Sequence, residues 1–363
     1  MMKRKLISFF LVLLLLFSLS ACENDYPPVE STEEELQTVM TLSHDGKSYN
    51  IPFELYRAFF LQLKSDVDGG NSAVWSGADK EKYITKIDEM ILSRICDIYS
   101  AFHIADKLGI DLYSEENEET LDEYIKASVE GGSVDSMLFA GFDGDYDAYL
   151  ASLREMNLNY SAQRTLLRYA LASELIDYHY FGDSSTEGAF KYTLEDVREF
   201  YESDEAARFI KGDFSKANTA MTLEEIKALR DSVAEAESAE EAAILIIQKS
   251  LTVGEDVMNG DVIGINSLDP MYYSQLTEQV FSLDVGKTGE VIEVNTGTET
   301  RYYIVYRAEK SDEHFEKCRD YITEIYINHT IGKILSEAKD ALIKSATPTD
   351  TLISLDRSTV SMK

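Results

Sequence analysis

Between residues 79 and 108 the chain carries Ile84, Ile87, Ile91, Ile95, Ile98, Phe102 and Ala105 at steps of three and four. Only an α-helix puts side chains at those steps on one face, so the segment predicts one long helix with an unbroken apolar stripe. Gly109 follows and predicts the stop, because the residue after a helix often turns left-handed and glycine does so without a Cβ clash. A stripe of that length cannot face water. It requires other helices, and a second long pattern near 312–344, with Phe315, Ile322, Ile325, Tyr326, Ile331 and Ile334, offers a matching face.

Further helical patterns cover about 52–65, 115–130, 145–156 and 160–180, so residues 50–180 are mostly helical, with no β-α-β alternation. Ahead of them, 38–50 reads as a hairpin around Asp45-Gly46, a dipeptide suited to a type I′ turn. Thr193 with Asp196 predicts a capped helix ending near Tyr201. The character then changes. Ala207–Phe214 reads as a strand, 222–234 and 238–249 as amphipathic helices, and Asp261–Ile265 as a short strand. A helix at 275–283 and strands at Glu290–Val294 and Arg301–Arg307 complete the order βααβαββ. The expected fold class is α+β. A discontinuous helical domain (38–204, completed by the helix 311–345) receives an inserted βααβαββ domain at 205–310, and a polar tail covers 346–363.

The N-terminus has its own logic. Lys3, Arg4 and Lys5 precede an apolar run from Leu6 to Leu19, which is shorter than the ~18 residues of a spanning helix. Leu19-Ser20-Ala21-Cys22 closes it, so residues 1–21 read as a secretory signal. The same four residues resemble the bacterial lipoprotein box, which implies cleavage before Cys22 and lipidation of its thiol. Residues 22–37 would then form an acidic tether on the extracytoplasmic face of a cell membrane. Acidity runs through the rest: 34 Lys and Arg stand against 66 Asp and Glu, a net −32, and beyond the three leader cations the chain carries −35. Such a polyanion is repelled by nucleic acid, and that class of partner is excluded. Cys96 and Cys318 lie in helical patterns without CxxC spacing. A disulfide is open to them outside the cytoplasm, and so are two buried thiols.

Few motifs suggest chemistry. Asp143-Gly144-Asp145-Tyr146-Asp147 alternates acids as a calcium loop does, but position 6 is Ala148 and position 12 Arg154, so a helix start with acids at its positive end is expected. Lys287-Thr288-Gly289 reads as a turn, because the sole Ser-x-x-Lys noted in the mature chain, Ser336 to Lys339, comes after it. Five histidines, His44, His103, His179, His314 and His329, show no metal spacing. No metal and no cofactor is expected. Tyr56, Phe59, Phe60, Trp75, Tyr146 and Tyr149 could line a groove for an extended apolar peptide, or simply fill the helical core.

Taken in order, these stretches resemble the SurA/PrsA-type foldases. Residues 83–112 look like that family's long helix and its leucine–glycine–apolar break, 145–180 like the helix pair after it, and 193–201 like the connector that follows. Asn259-Gly260-Asp261-Val262 is similar to the family's Gly-Gly-Asp-Leu, and Gln279–Gly286 to its Ala-x-Phe-x-Leu-x-x-Gly turn. Tyr302-Tyr303-Ile304-Val305 stands where it has Gly-Tyr-His-Ile-Ile. The resemblance implies a helical chaperone domain, like the SurA N-terminal domain or trigger factor, carrying an inserted parvulin-type peptidyl-prolyl isomerase. It also implies unfolded or partly folded exported proteins as partners. By residue matching, the two histidines that face each other in an active parvulin fall on Phe209 and Tyr303. The proline-pocket positions fall on Tyr272, Leu276 and Phe281, of which Phe281 keeps the family pattern. With no histidine in 205–310, isomerase activity is expected to be weak or lost. A solute-binding lipoprotein of a transporter is the alternative. It needs two α/β lobes with parallel strands, which residues 50–180 do not offer. No paired catalytic motif supports an enzyme of another kind.

Overall fold

The structure, a computed structural model, describes residues 26–134, 137–181, 191–215, 221–247, 249, 261–265, 274–295 and 300–362. The leader, Cys22, the Asn259-Gly260 pair and Tyr272 lie outside the described residues. The chain divides into two compact units. One comprises the described residues before Lys191 together with those from Ile334 onward, and the other is Lys191–Lys333.

The first unit is chiefly helical. Strands β1 (Thr38–His44) and β2 (Lys47–Pro52) form the expected antiparallel hairpin, with Asp45 at φ 46 and Gly46 at φ 79, both left-handed as a type I′ turn demands. Five helices follow: α1 (Phe53–Asp68), α2 (Lys80–Lys107), α3 (Glu115–Glu130), α4 (Tyr146–Glu155) and α5 (Tyr160–Phe181). A small hairpin, β3 (Gly132–Val134) with β4 (Met137–Phe139), lies between α3 and α4. The stripe on α2 is buried at Ile87, Ile91, Ile95, Ile98, Phe102 and Ala105, and α2 packs against α1 and α5. Its end is a Schellman motif: Ile110 N–H donates to the Ala105 carbonyl at 2.9 Å, Gly109 N–H to that of Asp106 at 3.0 Å, and Gly109 sits at φ 77. Asp145 caps α4 by accepting from Ala148 N–H at 2.9 Å, which makes the acid-rich 143–147 stretch a helix start.

The 346–363 segment departs from the polar tail read in the sequence. Strand β10 (Thr347–Pro348) pairs with β1, the short helix α11 (Asp350–Ile353) follows, and Leu352 and Val360 are buried. Arg357, also buried, donates to the Leu352 and Leu355 carbonyls and reaches Asp88 at 2.8 Å; the other Asp88 oxygen accepts from the Tyr56 hydroxyl. Part of the acidic tether also folds. Tyr26 packs tilted against Tyr146 with centroids 5.4 Å apart, and the Tyr146 hydroxyl donates to the Pro27 carbonyl at 2.6 Å. Glu35, half-buried, forms a 2.6 Å ion pair with buried Arg57.

The second unit begins with α6 (Leu194–Glu202), closed by the capping box of Thr193 and Asp196. A five-stranded antiparallel sheet follows: β5 (Ala206–Ser215), β6 (Asp261–Ile265), β7 (Lys287–Thr288), β8 (Ile292–Asn295) and β9 (Thr300–Arg307). Its order is β6-β5-β9-β7, with β8 also on β9. Lys287-Thr288 is therefore a two-residue strand rather than only a turn, entered from Gly286 at φ 79. Helices α7 (Leu223–Ala234) and α8 (Ala239–Ile247) cover one face of the sheet and α9 (Ser274–Ser282) the other. Helix α10 (Asp312–Ser345) runs through the boundary between the units. Along its first half Phe315 and Ile322, with Ile325 beside them, pack on Val197 and Phe200 of α6 within the second unit, while farther on Lys339 pairs with Asp97 of α2 at 2.7 Å. Among the described residues every strand pairing is antiparallel, and no helix is long and apolar enough to cross a membrane.

Candidate functional site

Strand alternation divides β5 cleanly. Ile210 and Phe214 point to α7 and α8, where Gly212 lets α8 come close: a Cβ there would stand 2.5 Å from Ile246 Cγ2. Phe209, Lys211 and Asp213 take the opposite face, shared with Arg301, Tyr303, Val305 and Arg307 of β9. This second face has an apolar part and a polar part.

The apolar part lies under α9. Ala207, Phe209, Tyr303 and Val305 form one buried cluster with Leu276 and Val280 of α9 and with Ile292 and Val294 of β8, and Phe281 packs on it half-buried. Four of the five positions singled out by resemblance, Phe209, Leu276, Phe281 and Tyr303, therefore converge. Phe209, Leu276 and Tyr303 are only 2%, 1% and 3% exposed, so they offer a solvent-borne substrate little surface. Phe209 pairs with Arg307 and Tyr303 with Asp213. The two share the face, yet stand four register positions apart, roughly 14 Å along a strand. Arg307 finishes the cluster by donating to the Val280 carbonyl at 2.8 Å while its guanidinium lies 5.3 Å over the Phe281 ring.

The polar part is a group the sequence reading missed. Asp213 accepts from Arg301 at 3.1 Å, with Lys211 and Tyr303 as further polar neighbours. Burial raises the Asp213 carboxyl above its ordinary pKa against the pull of Arg301, Lys211 and Tyr303. Burial likewise lowers Lys211, opposed by Asp213 and assisted by Arg301. The signal was available: charges at 211 and 213 alternate with buried Ile210 and Phe214, which places both on the α9 side. Chemically this end can hold a peptide carbonyl or carboxylate through Arg301 and Lys211. A cup that twists a prolyl amide over its ~18–20 kcal/mol barrier has to grip the twisted form more tightly than either planar form. The buried apolar positions beside it are already packed on each other.

The first unit uses its aromatics internally. Tyr56, Phe59, Phe60, Trp75 and Tyr149 are all buried, and Tyr146 is half-buried against Tyr26. Tyr56 is held by Asp88, and Trp75 Nε1 donates to Asp68 at 2.8 Å. The core-filling role describes them here. Cys96 and Cys318 are free buried thiols, and burial pushes Cys96 up to about 12.

No protein-family model and no curated protein matches the sequence. Solved structures to which the chain is similar include foldases and SurA-like chaperones. The foldase protein PrsA of Streptococcus pneumoniae is 14% identical, with 83% of this chain and 92% of that chain covered at a TM-score of 0.31. The peptidylprolyl isomerase PrsA of Bacillus cereus is 16% identical, with 90% and 97% covered at 0.24. A SurA-like chaperone of Campylobacter jejuni is 14% identical, with 86% and 99% covered at 0.22. The likeness is coarse, and the chain's own residues carry the functional reading.

Proposed function

We propose that this chain is a lipid-anchored extracytoplasmic foldase of the SurA/PrsA type that holds unfolded exported proteins and isomerises proline weakly or not at all. In this reading Cys22 carries the anchor. Residues 38–204 and 311–345 form the chaperone part, and 205–310 is a parvulin-like insertion. The observation that supports it is the convergence of Phe209, Leu276, Phe281 and Tyr303 around one face of an antiparallel sheet under α9. Those positions were singled out from the sequence alone, and aromatic side chains at the two histidine positions fill the space without supplying an imidazole. A solute-binding lipoprotein would call for parallel strands, and the described pairings are all antiparallel.

Two measurements on the purified chain test it. At near-stoichiometric ratio it is expected to suppress aggregation of an unfolded client, and proline isomerisation of a test peptide is expected to stay within a few-fold of the uncatalysed rate. Phe209→Ala should cost about 3–5 kcal/mol of stability by emptying the α9 cluster, with the low turnover unchanged. Absent suppression would remove the holdase role. Turnover equal to that of a histidine-bearing parvulin on the same peptide would place catalysis elsewhere on the chain.

A further inference from the structure

The histidines have no metal-binding spacing along the sequence, yet folding gathers two of them. Strand β1 ends on His44, Asp45 opens the hairpin turn, and His103, fifty-nine residues after His44, lies near the C-terminal end of α2. His44 Nδ1 lies 3.7 Å from Asp45 Oδ1, and His103 Nε2 lies 3.5 Å from Asp45 Oδ2. The imidazole rings are 4.3 Å apart between centroids, and one potential ligand atom from each of the three residues fits within a 4.8 Å span. We propose that His44, Asp45 and His103 form a binding site for a divalent transition-metal ion of the zinc type, fastening the β1–β2 hairpin to the C-terminal end of α2.

The buried Nε2 of His103 carries the inference. This side chain is 2% exposed, and its buried Nε2 makes no well-formed hydrogen bond, only a long 3.5 Å contact to Asp45 Oδ2. A buried polar atom left in that state is costly unless something satisfies it. Its other nitrogen, Nδ1, is 3.0 Å from the Tyr49 hydroxyl on β2. That is the arrangement of a ligating histidine: one nitrogen bonds the metal while an outer hydrogen bond fixes the ring. Zinc-type ions bind imidazole nitrogen and carboxylate oxygen at about 2.0–2.2 Å, which puts neighbouring ligand atoms ~3.3–3.5 Å apart in a tetrahedron. Small side-chain rotations of the half-exposed His44 and the exposed Asp45 reach it.

Donor chemistry selects the ion. Two imidazoles and one carboxylate suit zinc, copper or nickel, whereas calcium and magnesium want an all-oxygen shell. Three protein ligands leave a coordination position for water. Lys107 Nζ competes, standing 3.4 Å from Asp45 Oδ2, but its side chain is largely exposed and free to swing into solvent. A second pair, Lys47 with Asp106 at 3.1 Å, already joins the same hairpin to the same helix, so the metal would reinforce an existing contact.

The test is titration of the chelator-stripped full chain with zinc alone, read by calorimetry and by the thermal unfolding midpoint. One ion per chain is expected, with a raised midpoint. His44→Gln and Asp45→Asn should each weaken uptake by at least about tenfold and abolish the midpoint shift, while Lys107→Met should tighten it. Asp45 and Lys107 are exposed and His44 is half-exposed, so these variants are expected to fold even where His103→Gln does not. No stoichiometric uptake by the unaltered chain would overturn the proposal. Uptake unchanged in both His44→Gln and Asp45→Asn would do the same and move the metal to other residues.

Discussion

Glu35 shows how one residue of an apparently solvated acidic segment becomes structural. Burial would raise its pKa. Hydrogen bonds from the Thr32 backbone and Arg57, then the Thr32 hydroxyl and the Arg57 charge, outweigh that and bring it down from 4.5 to about 2. Arg57 is itself buried, and Glu54 close by is satisfied by Ser31, Asn159 and Ser161. Because the folded chain holds Glu35 ionised more firmly than the unfolded chain does, the unfolded state binds more protons as pH falls. The contribution is complete above about pH 4.5 and is lost as pH drops toward 2. Chemical denaturation at stepped pH should therefore show Glu35→Gln with a flatter acid limb than the parent chain. Arg57→Met, which leaves the half-buried Glu35 with only Thr32 and Asn159 as donors, should cost roughly 1–3 kcal/mol at pH 7. An identical acid limb in Glu35→Gln would mean that other carboxylates govern acid unfolding.

At the scale of elements, what could be read from the sequence was whatever depends on near neighbours. The α2 stripe and its Gly109 stop, the Asp45-Gly46 hairpin, the Thr193 capping box and most of the βααβαββ order are local patterns, and those elements lie within a residue or a few of where the patterns put them, with the two-residue β7 as an added strand. Three features escaped because they depend on pairing across long separations. Strand β10 has two residues and α11 four, too short for any periodicity, and β10 is recruited by β1 from about three hundred residues away. The polar cluster of Lys211, Asp213 and Arg301 appears only once β5 and β9 fix their register. His44 and His103 meet only because the hairpin folds back on α2. Packing between elements also sets the next prediction. Gly212 lies in β5 beneath α8, with Ile246 Cγ2 at 2.5 Å and Phe214 Cε2 at 2.8 Å from where a Cβ would stand. Gly212→Ala should destabilise the second unit by about 1–3 kcal/mol, read as a lower denaturant midpoint. A neutral result would mean that α8 is free to shift.

For the whole molecule, charge decides how attachment to a membrane is possible. Beyond residues 1–21 the chain carries −35, so on balance an anionic lipid surface repels it. None of the described helices is long and apolar enough to cross a bilayer. Attachment, in the proposed reading, has to be hydrophobic and covalent, through acyl chains on Cys22, at ~0.8 kcal/mol for each buried CH₂ and with two or more chains needed for stable residence. Electrostatic and lipid attachment respond differently to salt, because screening weakens the first and leaves the second intact. The parent chain should therefore stay with membranes through a high-salt wash and incorporate labelled fatty acid. Cys22→Ser should lose the label and appear in the soluble fraction at low and high salt alike. A Cys22→Ser chain that remained on membranes after the wash would place the anchor elsewhere in the leader. One released by salt alone would mean that a charged partner, not lipid, holds this polyanion at the surface.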